Sequence, residues 1–202
     1  MSVTVFKKSN AIIPKLCKLL RAGEIIAVPT ETAFGLLADA TNIKAIKRIQ
    51  RLKGREKNKP MPLVAANLIQ AKKYLLFSPR ALELARKFWP GPLTLVLPAK
   101  YSFPLGVVSK EKEVGLRVPA LMWLRRLVEE YGKPLTATSA NITDKPTLYN
   151  HRAVIKELSV KGLRYAVAGN LRPRLTSTVV RVKNNKIEIL RPGAIINSKL
   201  KK

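Results

Sequence analysis

The chain has 202 residues, of which 47% are hydrophobic and 25% charged, a composition that argues against disorder and allows one domain with a sizeable core. Its 39 lysines and arginines outnumber 12 aspartates and glutamates, and the formal net charge of +27 favours anionic partners such as nucleic acid or nucleotides. A lysine-coated surface is the alternative explanation. Apolar runs of only strand length exclude a membrane span, and the opening MSVTVFKKSN lacks the apolar centre of a signal peptide. The single cysteine excludes an internal disulfide and favours the reducing cytoplasm.

The first predicted element is a helix over residues 10–22. Ser9 or Asn10 opens it, Pro14 falls in its first turn and Gly23 closes it. Cys17 lies on this helix with no base near it in sequence, so we interpret it as a packing residue.

Residues 25–35 predict a strand that ends in a polar turn. The β-branched run 25–28 stops at Pro29, and the small polar residues 30–32 precede Gly35. Because proline cannot continue a strand ladder and glycine allows a tight bend, this stretch should bring hydroxyl groups and the Glu31 carboxylate to the end of a sheet.

A basic helix and a basic loop follow. Ala45, Ile46, Ile49 and Leu52 share one helical face, whereas Lys44, Lys47, Arg48 and Arg51 share another. The helix continues into a loop over 53–60 that holds four cations and one acid, and a strand resumes at 63–66. This arrangement places several cations at one sheet edge, where a polyanion would fit.

The rest of the chain alternates between helix-like and strand-like stretches. Ser78 and Pro79 form a favourable helix start, and Asn184 with Asn185 suits a tight hairpin turn. Helices are predicted at 67–75, 78–88, 120–131 and 152–158, and strands at 93–96, 114–118, 135–138, 165–167, 178–182 and 186–190. The alternation predicts an α/β fold with a mixed sheet and packed helices.

Polar residues stand at several of the predicted strand ends. Arg117 lies inside an otherwise apolar strand and needs an anionic partner, which is either a protein carboxylate or a bound carboxylate or phosphate. The segments 138–141, 177–178 and 191–193 are each also compatible with an ordinary turn or helix cap.

Several catalytic chemistries are excluded or weakened by the sequence. It contains neither G-x-x-x-x-G-K-[ST] nor G-x-G-x-x-G, so the usual phosphate-binding loops are missing. His151 is the only histidine and no G-x-S-x-G is present, which disfavours histidine-rich metal sites and Ser-His-Asp catalysis. An enzyme built on this chain would work by holding anionic reactants together.

Seven short motifs occur together in a characteristic order. They are PTETAFG (29–35), KGR (53–55), WPGPLT (89–94), LRVP (116–119), TSAN (138–141), STVV (177–180) and LRPG (190–193). Each is weak alone, but in this order they closely resemble the YrdC-like L-threonylcarbamoyladenylate synthases over about residues 10–196. The chain length is similar to that of the short, TsaC-type, single-domain members of that family. The tail over 197–202 is expected to be disordered.

The resemblance implies a fold and a reaction. The fold is an open, twisted, mixed α/β sheet with packed helices and a basic concave face. The reaction converts L-threonine, bicarbonate and ATP to threonylcarbamoyl-AMP and pyrophosphate. The product then serves a separate tRNA threonylcarbamoyl-transferase complex, so tRNA or other RNA is a further expected partner.

The resemblance also implies roles for individual residues. Lys53, Arg55, Ser139 and Asn141 match a catalytic polar tetrad. Lys53, Arg55, Asn141 and Arg191 match ATP-binding positions, whereas Thr30, Arg117, Ser139 and Ser177 match threonine-binding positions. Mg²⁺ is expected through the ATP phosphates and not through a protein metal site.

The sequence departs from the family pattern at two places, and two alternative functions remain. A glycine common in the turn after TSAN is absent from 142–146, and Arg181 stands where an acid is common, which adds a cation near the rim. A non-catalytic RNA-binding protein on the same fold is the main alternative. A carbamoyl-phosphate-using relative, as in hydrogenase maturation proteins, is the weaker one because its usual extra domains are missing.

Overall fold

The structure is a computed structural model that describes residues 2–201, apart from the side chains at positions 199 and 201. Its helices are α1 (Ile13–Arg21), α2 (Ile43–Lys53), α3 (Leu68–Tyr74), α4 (Pro79–Phe88), α5 (Met122–Tyr131), α6 (His151–Leu158) and α7 (Asn197–Lys201). Its strands are β1 (Thr4–Phe6), β2 (Ile26–Pro29), β3 (Phe34–Leu37), β4 (Leu63–Val64), β5 (Leu93–Pro98), β6 (Glu113–Arg117), β7 (Leu135–Thr136), β8 (Thr138–Ser139), β9 (Tyr165–Val167), β10 (Thr178–Lys183) and β11 (Lys186–Arg191).

The strands form two mixed sheets. One has five strands in the order β1-β9-β2-β3-β8, and the other has six in the order β11-β10-β5-β6-β4-β7. Strand β2 is antiparallel to β3 and parallel to β9, whereas β5 is antiparallel to β6 and parallel to β10. The mixed α/β class predicted from the sequence is confirmed, but the strands divide between two sheets where one was expected.

The division arises in the segment predicted as a single strand over 135–138. Its first part, β7, pairs with β4 of the six-stranded sheet, and its second part, β8, pairs with β3 of the five-stranded sheet. Ala137 lies between them and donates its N–H to the Pro62 carbonyl at 2.9 Å. One short stretch therefore joins the two sheets.

Two strands were not predicted. Strand β1 is an edge strand of three residues, which is too short to show a hydrophobic period. Strand β3 forms a hairpin with β2 in which Pro29 lies opposite Phe34, so the polar turn after Pro29 returns directly into the sheet. The hairpin predicted around Asn184 and Asn185 is confirmed, since both residues adopt the expected positive φ, 51° and 59°.

The helices follow their predicted patterns closely. The apolar face of α2, with Ala45, Ile46, Ile49 and Leu52, is buried in the core, while Lys44, Lys47 and Arg51 are exposed. No helix in residues 2–201 has the length and apolar character needed to cross a bilayer. The tail differs from the disordered segment expected over 197–202, because Asn197–Lys201 forms α7; Lys202 lies outside the described residues.

Gly54 ends α2 immediately before the basic loop. It adopts a left-handed conformation, with φ of 61°, and its N–H donates to the Arg51 and Gln50 carbonyls. Gly54→Ala is expected to lower the free energy of unfolding by about 1 kcal/mol, since an added Cβ would meet no atom within 4 Å and only the backbone conformation is disfavoured. Urea unfolding measures this change. Gly54→Asn is the control and should cost less, and an alanine variant as stable as the parent would contradict the prediction.

Candidate active site

A cleft of about 220 Å³ lies between the two sheets. Six of the eight site residues predicted from the sequence line it: Thr30, Arg55, Arg117, Ser139, Ser177 and Arg191. None of the described residues that line it is acidic. The residues come from widely separated parts of the chain, so the fold brings together the hydroxyl and cationic groups that the sequence left apart.

Strand directions explain why these side chains meet. Strands β5 and β10 are parallel, and β6 and β11 run antiparallel to them. Arg117 and Arg191 are the last residues of β6 and β11, whereas Ser177 directly precedes β10 and Thr94 is the second residue of β5. The two arginines and the two hydroxyl residues therefore lie at one edge of the six-stranded sheet.

The partner that Arg117 required is a protein carboxylate. Arg117 Nη1 donates to Glu31 Oε1 at 2.8 Å, and the two side chains are only 8% and 13% exposed. Burial lowers the pKa of Arg117, and the Glu31 carboxylate opposes that shift. Because Glu31 belongs to the turn after β2, this ion pair connects the two sheets beside the cleft.

Two further guanidinium groups at the cleft lack a carboxylate partner among the described residues. Arg191 Nη2 donates to the Ser177 carbonyl at 2.8 Å and to Ser177 Oγ at 3.1 Å. Arg55 donates to the carbonyls of Lys59 and Pro60 at 3.1 and 2.7 Å. Burial lowers the pKa of both; for Arg191 the nearby Arg117 adds to the effect, whereas for Arg55 the Asp144 and Glu56 carboxylates oppose it. The cleft therefore carries positive charge that the protein only partly neutralises.

Lys53 and Asn141 do not line the cleft, although the resemblance implied that they contact the nucleotide. The Lys53 side chain is buried, and its Nζ donates to the Ser139 carbonyl at 2.5 Å and to the Asn141 carbonyl at 2.6 Å. Asn141 donates through Nδ2 to the Lys145 carbonyl at 2.5 Å. The structure places both residues behind Ser139, where they hold the backbone of its loop.

The Thr30 hydroxyl makes hydrogen bonds with the backbone of its own turn. It donates to the Ala33 carbonyl at 2.7 Å and accepts from the backbone N–H groups of Thr32 and Ala33 at 3.2 Å. Thr30 therefore shapes the turn between β2 and β3 while it borders the cleft.

The sequence motifs did not identify every residue that lines the cleft. Thr94 lies inside the WPGPLT motif, yet only the structure shows its hydroxyl 2.9 Å from Ser177 Oγ. Thr147 and Thr176 also line the cleft and belong to none of the seven motifs. A threonine next to the STVV motif was the only available signal for Thr176.

The structure accommodates both departures from the family pattern. Asp144 adopts a positive φ of 64°, a conformation that aspartate tolerates better than most residues, so the loop turns without the missing glycine. Arg181 does not add a free cation at the rim, because it pairs with Glu113 at 2.9 Å and Glu188 at 3.0 Å. Glu113 begins β6 and Arg117 ends it, which places this pair toward the far end of the strand.

Lys53 is expected to lose its proton near pH 8. Burial, and secondly Arg55, lower the pKa of Lys53 from 10.5 to about 8, while Glu157 opposes the shift. The unfolded chain keeps this proton up to the ordinary pKa, so the contribution of Lys53 to the free energy of unfolding rises between pH 8 and 10.5. Nitrogen-detected NMR titration of the Lys53 amine measures the midpoint, and a midpoint near 10.5 would refute this expectation.

The arrangement suits the binding of anions. Three guanidinium groups face one cleft, and only Arg117 has a carboxylate partner within the described residues. Arginine binds carboxylates and phosphates through paired donors, and its charge is retained despite burial. The exposed Ser139 side chain and the threonines of the rim add neutral hydroxyl groups to the same cleft.

Comparison with known proteins identifies relatives of this chain. The Sua5/YciO/YrdC family model, described as "Telomere recombination", matches residues 18–193. A threonylcarbamoyl-AMP synthase of Pyrococcus abyssi is 35% identical over 87% of this chain and 52% of its own length. A putative threonylcarbamoyl-AMP synthase of Methanocaldococcus jannaschii is 32% identical over 96% of this chain and 91% of its own length.

A solved structure extends the likeness to three dimensions. P. abyssi Sua5 in complex with L-threonine superposes with a TM-score of 0.87 at 31% identity, covering 99% of this chain and 59% of that protein. The chain thus spans about half the length of the P. abyssi relative. Because the family model matches residues 18–193, which are most of this chain, the chain belongs to the Sua5/YciO/YrdC family.

Proposed function

We propose that the protein is a threonylcarbamoyl-AMP synthase, a nucleotidyltransferase that converts L-threonine, bicarbonate and ATP to threonylcarbamoyl-AMP and pyrophosphate. Relatives at 35% and 32% identity carry that name, the second as putative, and the solved P. abyssi relative binds L-threonine. In this role the protein would work in the cytoplasm and supply a transferase complex that modifies tRNA.

The convergence of Arg55, Arg117 and Arg191 on one cleft carries the proposal. Threonine carbamate is a dianion and ATP carries several negative charges, so the two reactants repel each other in water. Fixed guanidinium groups at the cleft offset this repulsion and hold the reactants in contact. The carbamate oxygen then attacks the α-phosphorus, the bond to the bridging oxygen breaks, and pyrophosphate leaves.

The residues at the cleft divide naturally between the two substrates. Arg117 and Ser177 would bind threonine, and Arg55 with Arg191 would bind the ATP phosphates, with Ser139 between them. Lys53, Asn141 and Thr30 would act by holding the loops that present these groups. Mg²⁺ would enter with ATP and be held mainly by its phosphate oxygens.

Pyrophosphate release that requires threonine and bicarbonate together is the expected result. Each component is omitted in turn, and serine and valine replace threonine, while pyrophosphate and the AMP-linked product are measured. Release that is independent of the amino acid would indicate a different nucleotide reaction and contradict the proposal.

RNA binding without catalysis was the alternative considered from the sequence, and the names of the curated relatives do not favour it. Lys44, Lys47 and Arg51 form an exposed basic stripe on α2, and none of them has an ion-pair partner among the described residues. The affinity for RNA held by this stripe should fall steeply as the salt concentration rises. For single-stranded RNA, the logarithm of the binding constant should fall by about 0.7 for each contacted phosphate when the salt concentration rises tenfold. RNA binding with no nucleotide turnover would favour this candidate.

A further inference from the structure

The backbone after Ser139 is held by two side chains from different helices. Lys53 at the end of α2 donates to the carbonyls of Ser139 and Asn141. Glu157 on α6 accepts the Ile142 N–H at Oε1, at 2.6 Å. The Lys53 carbonyl also accepts the Thr143 N–H at 2.8 Å. Polar backbone groups between residues 139 and 143 thus find partners in α2 and α6.

The Lys53 ammonium has no proton left for the cleft. An ammonium group offers three donors. Its contacts are the Ser139 carbonyl, the Asn141 carbonyl and Asn141 Oδ1, the last at 3.3 Å. Because the side chain is 1% exposed, Lys53 is placed to act through the 139–143 backbone and not by touching a phosphate.

Glu157 supports the same segment in two ways. Its carboxylate makes a charge-assisted hydrogen bond to the Ile142 N–H, which is stronger than a bond to a neutral acceptor. Its charge also favours the protonated form of Lys53, the form that supplies three donors. Glu157 lies in none of the seven sequence motifs, so the sequence offered no reason to select it.

We propose that Glu157 is a positioning residue for the adenylyl transfer: with Lys53 it fixes the backbone of residues 139–143 and thereby the Ser139 hydroxyl at the cleft. This role rests on the proposed function. The carboxylate acts through the segment and touches no substrate. Its loss therefore displaces Ser139 and lowers kcat, while the arginines that bind ATP and threonine stay in place.

The test compares Glu157→Ala with Glu157→Gln, which keeps an oxygen that accepts the Ile142 N–H. Glu157→Ala should lower kcat by about 10-fold to 100-fold with the KM for ATP changed less than about threefold. Glu157→Gln should restore most of the rate. The neighbouring Lys156 is exposed, and Lys156→Ala is the matched control that should behave as the parent.

Hydrogen exchange provides a readout that is independent of activity. The Ile142 and Thr143 amides should exchange faster in Glu157→Ala than in the parent, and Glu157→Gln should return them toward the parent rate. Unchanged exchange and unchanged kcat would overturn the proposal, and so would an effect confined to the KM for ATP. If the parent releases no pyrophosphate, the proposed function fails. Faster exchange of the Ile142 and Thr143 amides in Glu157→Ala would even then show that Glu157 holds the backbone of residues 139–143.

Discussion

Arg117→Ala is expected to lower the free energy of unfolding by about 3–5 kcal/mol, because it leaves the Glu31 carboxylate buried without its cation. Glu31 Oε2 already lacks a hydrogen-bond partner among the described residues, so Oε1 would lose the only contact with a cation that the carboxylate has there. Urea unfolding at neutral pH measures the loss. The variant should also lose pyrophosphate release, since the arginine faces the cleft.

A double-mutant cycle separates the ion pair from the loss of side-chain volume. Arg117→Met and Glu31→Leu are made singly and together. The double variant should be more stable than Arg117→Met alone, because an apolar pair commonly replaces a buried ion pair at little cost, whereas an unpaired buried charge is expensive. Single variants that each cost under about 1 kcal/mol would show that water screens the pair, contrary to this expectation.

Arg55→Ala is expected to lower kcat/KM by about 100-fold to 1000-fold while the protein stays folded, the effect of removing one preorganised donor from developing charge. Arg55 lines the cleft and is only partly buried, and its hydrogen bonds reach the Lys59 and Pro60 carbonyls of its own loop. Removal of its guanidinium therefore removes charge from the cleft and leaves the core untouched. Pyrophosphate release under saturating and limiting ATP measures the loss.

Lys59→Ala is the matched control for this prediction. It removes a cation from the same loop, its side chain is exposed, and the carbonyl that accepts from Arg55 belongs to the backbone and remains. The control should keep activity within about twofold of the parent, as expected for a screened surface charge. Equal losses in both variants would mean that general positive charge, and not the Arg55 guanidinium, supports the reaction.

Local patterns were sufficient to predict most of the helices. Helix α2 followed from apolar spacing, and Ser78 and Asn67 cap α4 and α3 at the predicted starts. The division of residues 135–139 between two sheets had no local signal, because strand pairing depends on distant partners such as β3 and β4. For the same reason the single predicted sheet became two.

The candidate site shows the same limit. The order of the motifs identified six residues that line the cleft, because residue types and their spacing can be read directly from the sequence. Hydrogen-bond partners are a property of the fold, so the sequence did not show that Lys53 faces the Ser139 and Asn141 carbonyls. Nor did it show that Glu31 pairs with Arg117, which lies 86 positions further along the chain.

The passage of residues 135–139 from one sheet to the other constrains how the cleft opens. Ala137, the single residue between β7 and β8, donates its N–H to the Pro62 carbonyl, so a hinge motion at this residue would break that hydrogen bond. We expect this connection to oppose a separation of the two walls as rigid halves. Movement that admits reactants and releases products is therefore expected in loops that border the cleft, such as 54–60, of which residues 56–59 are exposed.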